Sequence, residues 1–440
     1  MKKLFLTILI LWVCIASFVA KAQIRSTGFF FSDEVQARDM AIDDKGNIYI
    51  TGNTVDLDNY DKHNYNYGTV KYNSEGKKIW KREYDGPLKG FDYANSVGVD
   101  KEGNVYVTGS IQLTPKRDPN SIFLKGYATI KYAPDGHELW ATVQGGPQFK
   151  DSAKLVVCNN GSVCITGRCK EVKDDFGIFD FLTIKYDPNG RELWKDFYDG
   201  PRKSLDIPYD IAIDNLKNTY VTGSSTGEDS DNDIAIIKYG PNGQRLWVAR
   251  YKKEGYSCSP AGMEVDNFGN VYVVGSYEDK EWKKNIWLTP SGVSGSSPEL
   301  IKKFSYIVTV KYDPKGHELW SQIYKKSDLL IDAKDVVLDR TGNVYVSGFS
   351  KDNLVMIKYN GDGKQMWDTW YQSKVIQPTR MGDFCRIWLG DQGNVYHTAY
   401  IPADTEMGTK PLLVKYNDKG ALEWAKSFQN ISEFAKLIYP

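Results

Sequence analysis

Several stretches of the chain carry residue types whose spacing could do chemistry. Asp229, Asp231 and Asp233 alternate with other residues, and this D-x-D-x-D spacing brings three carboxylates within reach of one hard cation. Calcium is the ion that such a stretch would take, although the following Gly and the distal Glu of an EF-hand loop are missing; a solvated acidic loop is the plainer alternative. Asp56, Asp58 and Asp61, and then Asp174, Asp175 and Asp180, form two further acid-rich stretches. Trp282 and Trp287 stand among lysines in a long insertion, where exposed aromatics could stack on a sugar or anchor a protein, or else pack the insertion down. Arg117 lies in a comparable loop. Cys158 and Cys164 admit a disulfide or two buried thiols, and the geometry of a bond is demanding. The four histidines, His63, His137, His317 and His397, complete no HExxH pattern, and neither a GxSxG nor a P-loop stretch is present. No catalytic residue, resident metal or cofactor is assigned, with calcium near Asp229 the one candidate ion.

These residues must be positioned by elements that the chain repeats seven times. KYDPKGHELW from Lys311 is copied as KYNSEGKKIW from Lys71, KYAPDGHELW from Lys131, KYDPNGRELW from Lys185, KYGPNGQRLW from Lys238, KYNGDGKQMW from Lys358 and KYNDKGALEW from Lys415. Upstream of each copy lies a hairpin of the form VGVDKEGNVYVTG, best seen from Val97 to Gly109, with apolar residues alternating on both sides of a Gly turn. Each unit therefore reads as four strands: A before the Asp, B as GNVYVTG, C ending in Lys-Tyr, and D carrying the Trp. The A–B and C–D turns are short and place Gly where a hairpin turn needs positive φ. Variation in length falls between strands B and C and is greatest in repeat five. Successive antiparallel strands put the short turns on one face and the variable loops, with the Asp and Trp stretches above, on the other.

Seven four-stranded antiparallel units are best satisfied by an all-β, seven-bladed β-propeller, since blades packed radially cover both faces of every sheet. The units run approximately over 36–91, 92–150, 151–205, 206–256, 257–331, 332–382 and 383–440, after a lead-in at 23–35. The D-x-x-GNVYVTG hairpin followed by T-[VI]-KYD-x-x-G-x-x-x-W resembles the bacterial β-propeller repeat called SBBP, over about residues 36 to 428. That resemblance implies a secreted or surface propeller, commonly without an assigned activity. The Trp segment is also similar to the docking motif of quinoprotein-type propellers, but their eight blades and cofactor site are not seen here.

Met1 to Ala22 read as a cleaved secretory signal, with Lys2 and Lys3 before an apolar run and Ala20-Lys21-Ala22 at the cleavage site. Export to the periplasm, cell surface or medium follows, and no later segment is apolar and long enough to span a bilayer. The full chain of 440 residues has a formal charge of 0, and removing Lys2, Lys3 and Lys21 gives 0 − 3 = −3. This balance offers no electrostatic footprint for nucleic acid.

Departures from the repeat point furthest towards function. Glu264 lies in strand A of blade five, where the other blades carry Ala41, Gly98, Val156, Ala212, Val337 and Trp388. A carboxylate on an inner strand must find a partner, either a structural cation or donor, or a site at the channel mouth. The favoured function is a non-enzymatic exported propeller that binds protein or glycan through its variable loops. The alternatives are a glycan hydrolase or lyase with acids and Arg converging on the channel, and a structural surface module.

Overall fold

In the computed structural model the described residues are 35–55, 65–113, 125–146, 149–157, 161–169, 179–228, 232–288, 294–326, 329–350, 353–372, 386–390, 393–402, 409–428 and 430–438. Residues 1–22, Phe29 to Phe31, Arg117, Cys158, Asp229 and Asp231 lie outside them. Seven four-stranded antiparallel sheets form a ring, each built from consecutive strands in the order A, B, C, D. Blade one comprises Gln36–Ile42, Ile48–Val55, Tyr65–Tyr72 and Lys78–Tyr84. The A strands neighbour one another around the ring and line its channel.

The repeated residues have paired jobs. At the end of strand A an Asp accepts from its own turn: Asp43 takes the Asn47 amide at 2.8 Å, the Asn47 side chain at 2.7 Å and the Tyr49 hydroxyl at 2.9 Å. The same arrangement recurs at Asp100, Asp214, Asp266 and Asp339. The Lys of strand C lies over that Tyr, with Lys71 Nζ 5.2 Å from the Tyr49 ring centroid and Lys238 Nζ 5.0 Å from that of Tyr220.

The Lys and the Trp then reach one carbonyl of the next blade together. Lys71 Nζ and Trp80 Nε1 both donate to the Pro134 carbonyl at 3.0 Å, and Lys238 and Trp247 to that of Pro314 at 3.1 and 3.0 Å. Lys311 and Trp320 use the Gly361 carbonyl at 2.9 and 3.1 Å. The turn Gly beneath each Trp has two reasons to be Gly. Gly316 has φ +87°, and a Cβ there would stand 2.9 Å from the Trp247 ring. So the Gly and the Trp of the repeat are partners across a blade boundary, not within one unit.

At the seam between blades seven and one Trp424 donates to no such carbonyl among the described residues. Instead Lys415 turns to Glu423 at 2.8 Å, and helix α1 (Ile431–Ile438) packs over the junction. Phe434 and Ala435 of α1 are fully buried with Val35, Ala37 and Ile48 of blade one and Leu413 and Phe428 of blade seven. Asn430 caps α1 through the Glu433 amide at 3.0 Å, and Ser432 Oγ donates to the Glu75 carbonyl at 3.2 Å.

Candidate functional site

Two places differ from the repeat enough to serve as a site: the channel ring and the arm of blade five. The ring is set by one shared register of strand A. Asp39 stands opposite Thr51, Ser96 opposite Thr108, Asp210 opposite Thr222, Gly262 opposite Val274 and Asp335 opposite Ser347. In blade seven Arg386 holds this level, its carbonyl accepting from the Thr398 amide at 2.9 Å.

Each ring aspartate bridges to the next blade. Asp39 Oδ2 accepts from Ser96 Oγ at 2.9 Å and the Val97 amide at 3.0 Å; Asp210 accepts from the Met263 amide and Asp335 from the Ile387 amide, both at 3.0 Å. Arg386 closes the ring with Asp39 at 3.6 Å and Asp335 at 3.7 Å. Burial pushes the Asp335 carboxyl upward, while Arg386 pulls it back.

Glu264 lies two residues beyond this level, in blade five, opposite Tyr272. Its carboxyl is pushed up to about 8, first by burial and then by Asp335 and Asp210, with Arg386 opposing. The residue keeps some open surface towards the channel. Protein surrounds it closely enough that desolvation still dominates its proton affinity. A carboxylic acid held neutral near pH 7 can donate a proton or a hydrogen bond. The ring aspartates, by contrast, are engaged in holding backbone amides.

Strands B and C of blade five run on as a paired ribbon, Val271–Leu288 against Ser294–Tyr312. In blade four the same pairing stops at Ser225 opposite Asp233, a level that blade five reaches at Tyr277 opposite Tyr306. The ribbon continues to Leu288 opposite Ser294, with a bulge at Ile301. At about 3.3 Å per residue the extra length projects on the order of 35 Å from the loop face. Trp282 and Trp287 both lie on this arm, opposite Leu300 and Gly295. Being five apart on a strand, their positions fall on opposite faces of the ribbon.

Asp233 belongs to neither place. It is buried at the start of strand C of blade four and pairs with Arg250 at 3.0 Å. His137 and His317 are bound to Asp135 and Asp313 in exposed C–D turns on the opposite face, and His397 is buried, with its pKa pushed down to about 3. The ring residues Asp39, Asp210, Asp335 and Arg386 were not singled out by sequence reasoning. Their signal was present: with the A strands aligned on the hairpin Asp, an acid recurs at one level in blades one, four and six.

The SBBP family model, described as a beta-propeller repeat, matches residues 32–57, 79–112 and 200–229. The chain carries SBBP repeats. Beyond the SBBP match, 238 residues, or 54% of the chain, are 24% identical to an uncharacterized WD repeat-containing protein of Acanthamoeba polyphaga mimivirus, and the match spans 15% of that relative's length. Among solved structures the chain is similar to a eukaryotic initiation factor, with 10% identity, coverage of 91% and 90% of the two chains and a TM-score of 0.42. It is similar also to virginiamycin B lyase from Staphylococcus aureus, with 10% identity, 83% and 92% coverage and a TM-score of 0.42. An alpha-L-arabinofuranosidase from Fusarium graminearum follows, with 11% identity, 73% and 92% coverage and a TM-score of 0.43. No activity is carried over from any of them.

Proposed function

We propose that this is an exported, non-enzymatic binding propeller that engages a protein or glycan through its variable-loop face, with the blade-five arm as the principal contact. The arm is the observation that carries the reading. A two-stranded ribbon is at best marginally stable alone in water, so one of this length gains most from a surface laid against it. From Asp279 to Phe304 it holds five lysines (Lys280, Lys283, Lys284, Lys302, Lys303) against three acids (Asp279, Glu281, Glu299). A net positive arm on a negative mature chain favours an acidic partner surface. The ring supports the same reading from the other side, because its aspartates already hold neighbouring blades.

The test replaces residues 279–304 by a short turn like that joining strands B and C of blade six. Glycan and protein screens on the parent and the variant should show binding lost with the melting midpoint kept. Binding that survives the deletion puts the contact elsewhere. A second reading, a glycan hydrolase or lyase at the channel, is favoured by one observation: the Glu264 carboxyl is pushed upward by burial, with Asp335 adding to the shift and Arg386 opposing it. Turnover of a glycan that disappears in Glu264→Gln would select it.

A further inference from the structure

We propose that Asp180, Asp199 and Asp206 bind a hard divalent cation, calcium, at the boundary of blades three and four on the loop face. Asp180 opens strand C of blade three, Asp199 follows its strand D (Glu192–Tyr198), and Asp206 opens strand A of blade four (Asp206–Ile213). One carboxylate oxygen of each lies within 4.8 Å of the others. Calcium–oxygen bonds are about 2.4 Å, so ligands on opposite sides of one ion stand about 4.8 Å apart and all three fit without backbone movement.

Closeness of acids is not enough, and a second observation points to a ligand. Asp206 is fully buried, and its Oδ1 has no hydrogen-bond partner. Its Oδ2 accepts from the Gly200 amide at 2.5 Å. Ser225 and the Thr226 amide stand near the carboxylate and favour its charged form, but burial and Asp199 push its proton affinity upward. No ion pair reaches Asp206 among the described residues. The nearby guanidinium of Arg250 is taken up by Asp233 at 3.0 Å, Tyr198 and Ser225 Oγ at 2.9 Å, and the Ser225 carbonyl at 2.8 Å.

The molecule contains its own control. The Asp-Gly-Pro turn at Asp199 to Pro201 is repeated at Asp85 to Pro87, and Asp92 stands there as Asp206 does here. Asp92 Oδ2 accepts from the Gly86 amide at 2.6 Å, but its Oδ1 is met by the Gln112 amide at 3.0 Å. Asn66 stands in the place of Asp180. The boundary of blades one and two therefore has one charge fewer and no orphan oxygen on its aspartate. An all-oxygen, carboxylate-rich and buried set suits calcium over magnesium, which sheds its water reluctantly.

The test uses the mature chain, stripped with a chelator and titrated with calcium chloride and, separately, magnesium chloride. The expected result is one calcium bound per chain by calorimetry, with a melting midpoint that rises by several degrees in calcium and by less in magnesium. Asp206→Asn should lower calcium affinity at least tenfold and abolish the shift. In chelator the same variant should melt no lower than the parent, because it relieves repulsion that no ion then offsets. Asp180→Asn provides a second variant, and Asp92→Asn should leave the calcium response unchanged. No response up to about 10 mM calcium, the weak end for protein sites, overturns the proposal. So does a response that survives Asp206→Asn and Asp180→Asn, or one of equal size in magnesium.

Discussion

Lys217 stands where the A–B turns of the other six blades have Gly, and substituting it by Gly tests how strictly the repeat governs the backbone. The turn is the shared one. Asp214 accepts from the Lys217 amide at 2.9 Å and donates to the Asn218 carbonyl at 3.1 Å, as Asp339 does with Gly342 and Asn343 at 3.0 Å. Lys217 accordingly has φ +66°, close to the +83° of Gly342. A side chain with a Cβ costs on the order of 1–2 kcal/mol in that region. Gly returns part of this through the greater freedom of its unfolded chain, about 0.5–1 kcal/mol. Lys217 is exposed, so its side chain gives up little packing. Lys217→Gly should therefore stabilise by about 1 kcal/mol. The reverse change can be made at Gly342, where an added Cβ meets nothing within 4 Å. Gly342→Lys should destabilise by a similar net amount, backbone strain less the entropy that Lys removes from the unfolded chain. Unfolding entropy of about 2.1 cal/mol/K per residue over roughly 400 residues makes 1 kcal/mol worth about 1 °C. Differential scanning calorimetry on both variants and the parent should bracket the parent's midpoint. A lower midpoint for Lys217→Gly, or an unchanged one for Gly342→Lys, would refute the reasoning.

Glu264 gives stability a pH dependence of known sign. Its folded pKa of about 8 lies above the ordinary glutamate value, so the folded state holds a proton that the unfolded chain has released. Stability from this residue is complete below about pH 4.5 and falls as pH rises towards 8, by at most about 1.4 kcal/mol per pH unit. Glu264→Gln should flatten that part of a melting-midpoint profile and raise the midpoint at pH 8; an unchanged profile would show that the channel is well hydrated. Phe434→Ala should cost about 3–4 kcal/mol, because the ring is fully buried against Phe428 with 5.0 Å between centroids. Chemical denaturation would measure it, and a loss under 1 kcal/mol would mean that α1 does not hold the seam.

Blade number and strand order were legible because packing between identical neighbours demands identical residues, and the demand is written seven times. The partnership between Trp247 and Gly316 was not legible as such. Sequence shows both inside repeats, but only the radial arrangement shows that the Trp of one blade covers the Gly of the next. The ring acids were within reach of alignment, whereas Arg386 was not, since it follows a stretch that matches no other blade. Asp206 shows the opposite limit. Its role depends on Asp180 and Asp199, which strand pairing brings together from three separate strand ends. The arm lay in plain view as an insertion, but that positions 282 and 287 face opposite ways follows only from its pairing as one ribbon.

The two faces of the ring differ in what they are free to do, and the cause is the stitching between blades. Six of the seven C–D turns receive the Trp of the preceding blade on a backbone carbonyl, five of these the Lys as well. Five of the A–B turns on that face are fixed by their Asp, Asn and Tyr, and Tyr106 of blade two even donates to the Gly161 carbonyl of blade three at 2.9 Å. An insertion in any of these turns would break contacts with two blades at once. The B–C and D–A connections are also tied across blades, by the Asp92, Asp206, Cys258 and Ile331 amides to the Tyr65, Phe179, Asn232 and Ser305 carbonyls, but at the level where strand C begins, so chain beyond that level can be lengthened. The long ribbon of blade five enters there, and so do the three carboxylates between blades three and four. A surface that can change without unstitching the ring is the one on which recognition can be built, whether by an arm that reaches out or by a cation that locks two blades beneath it.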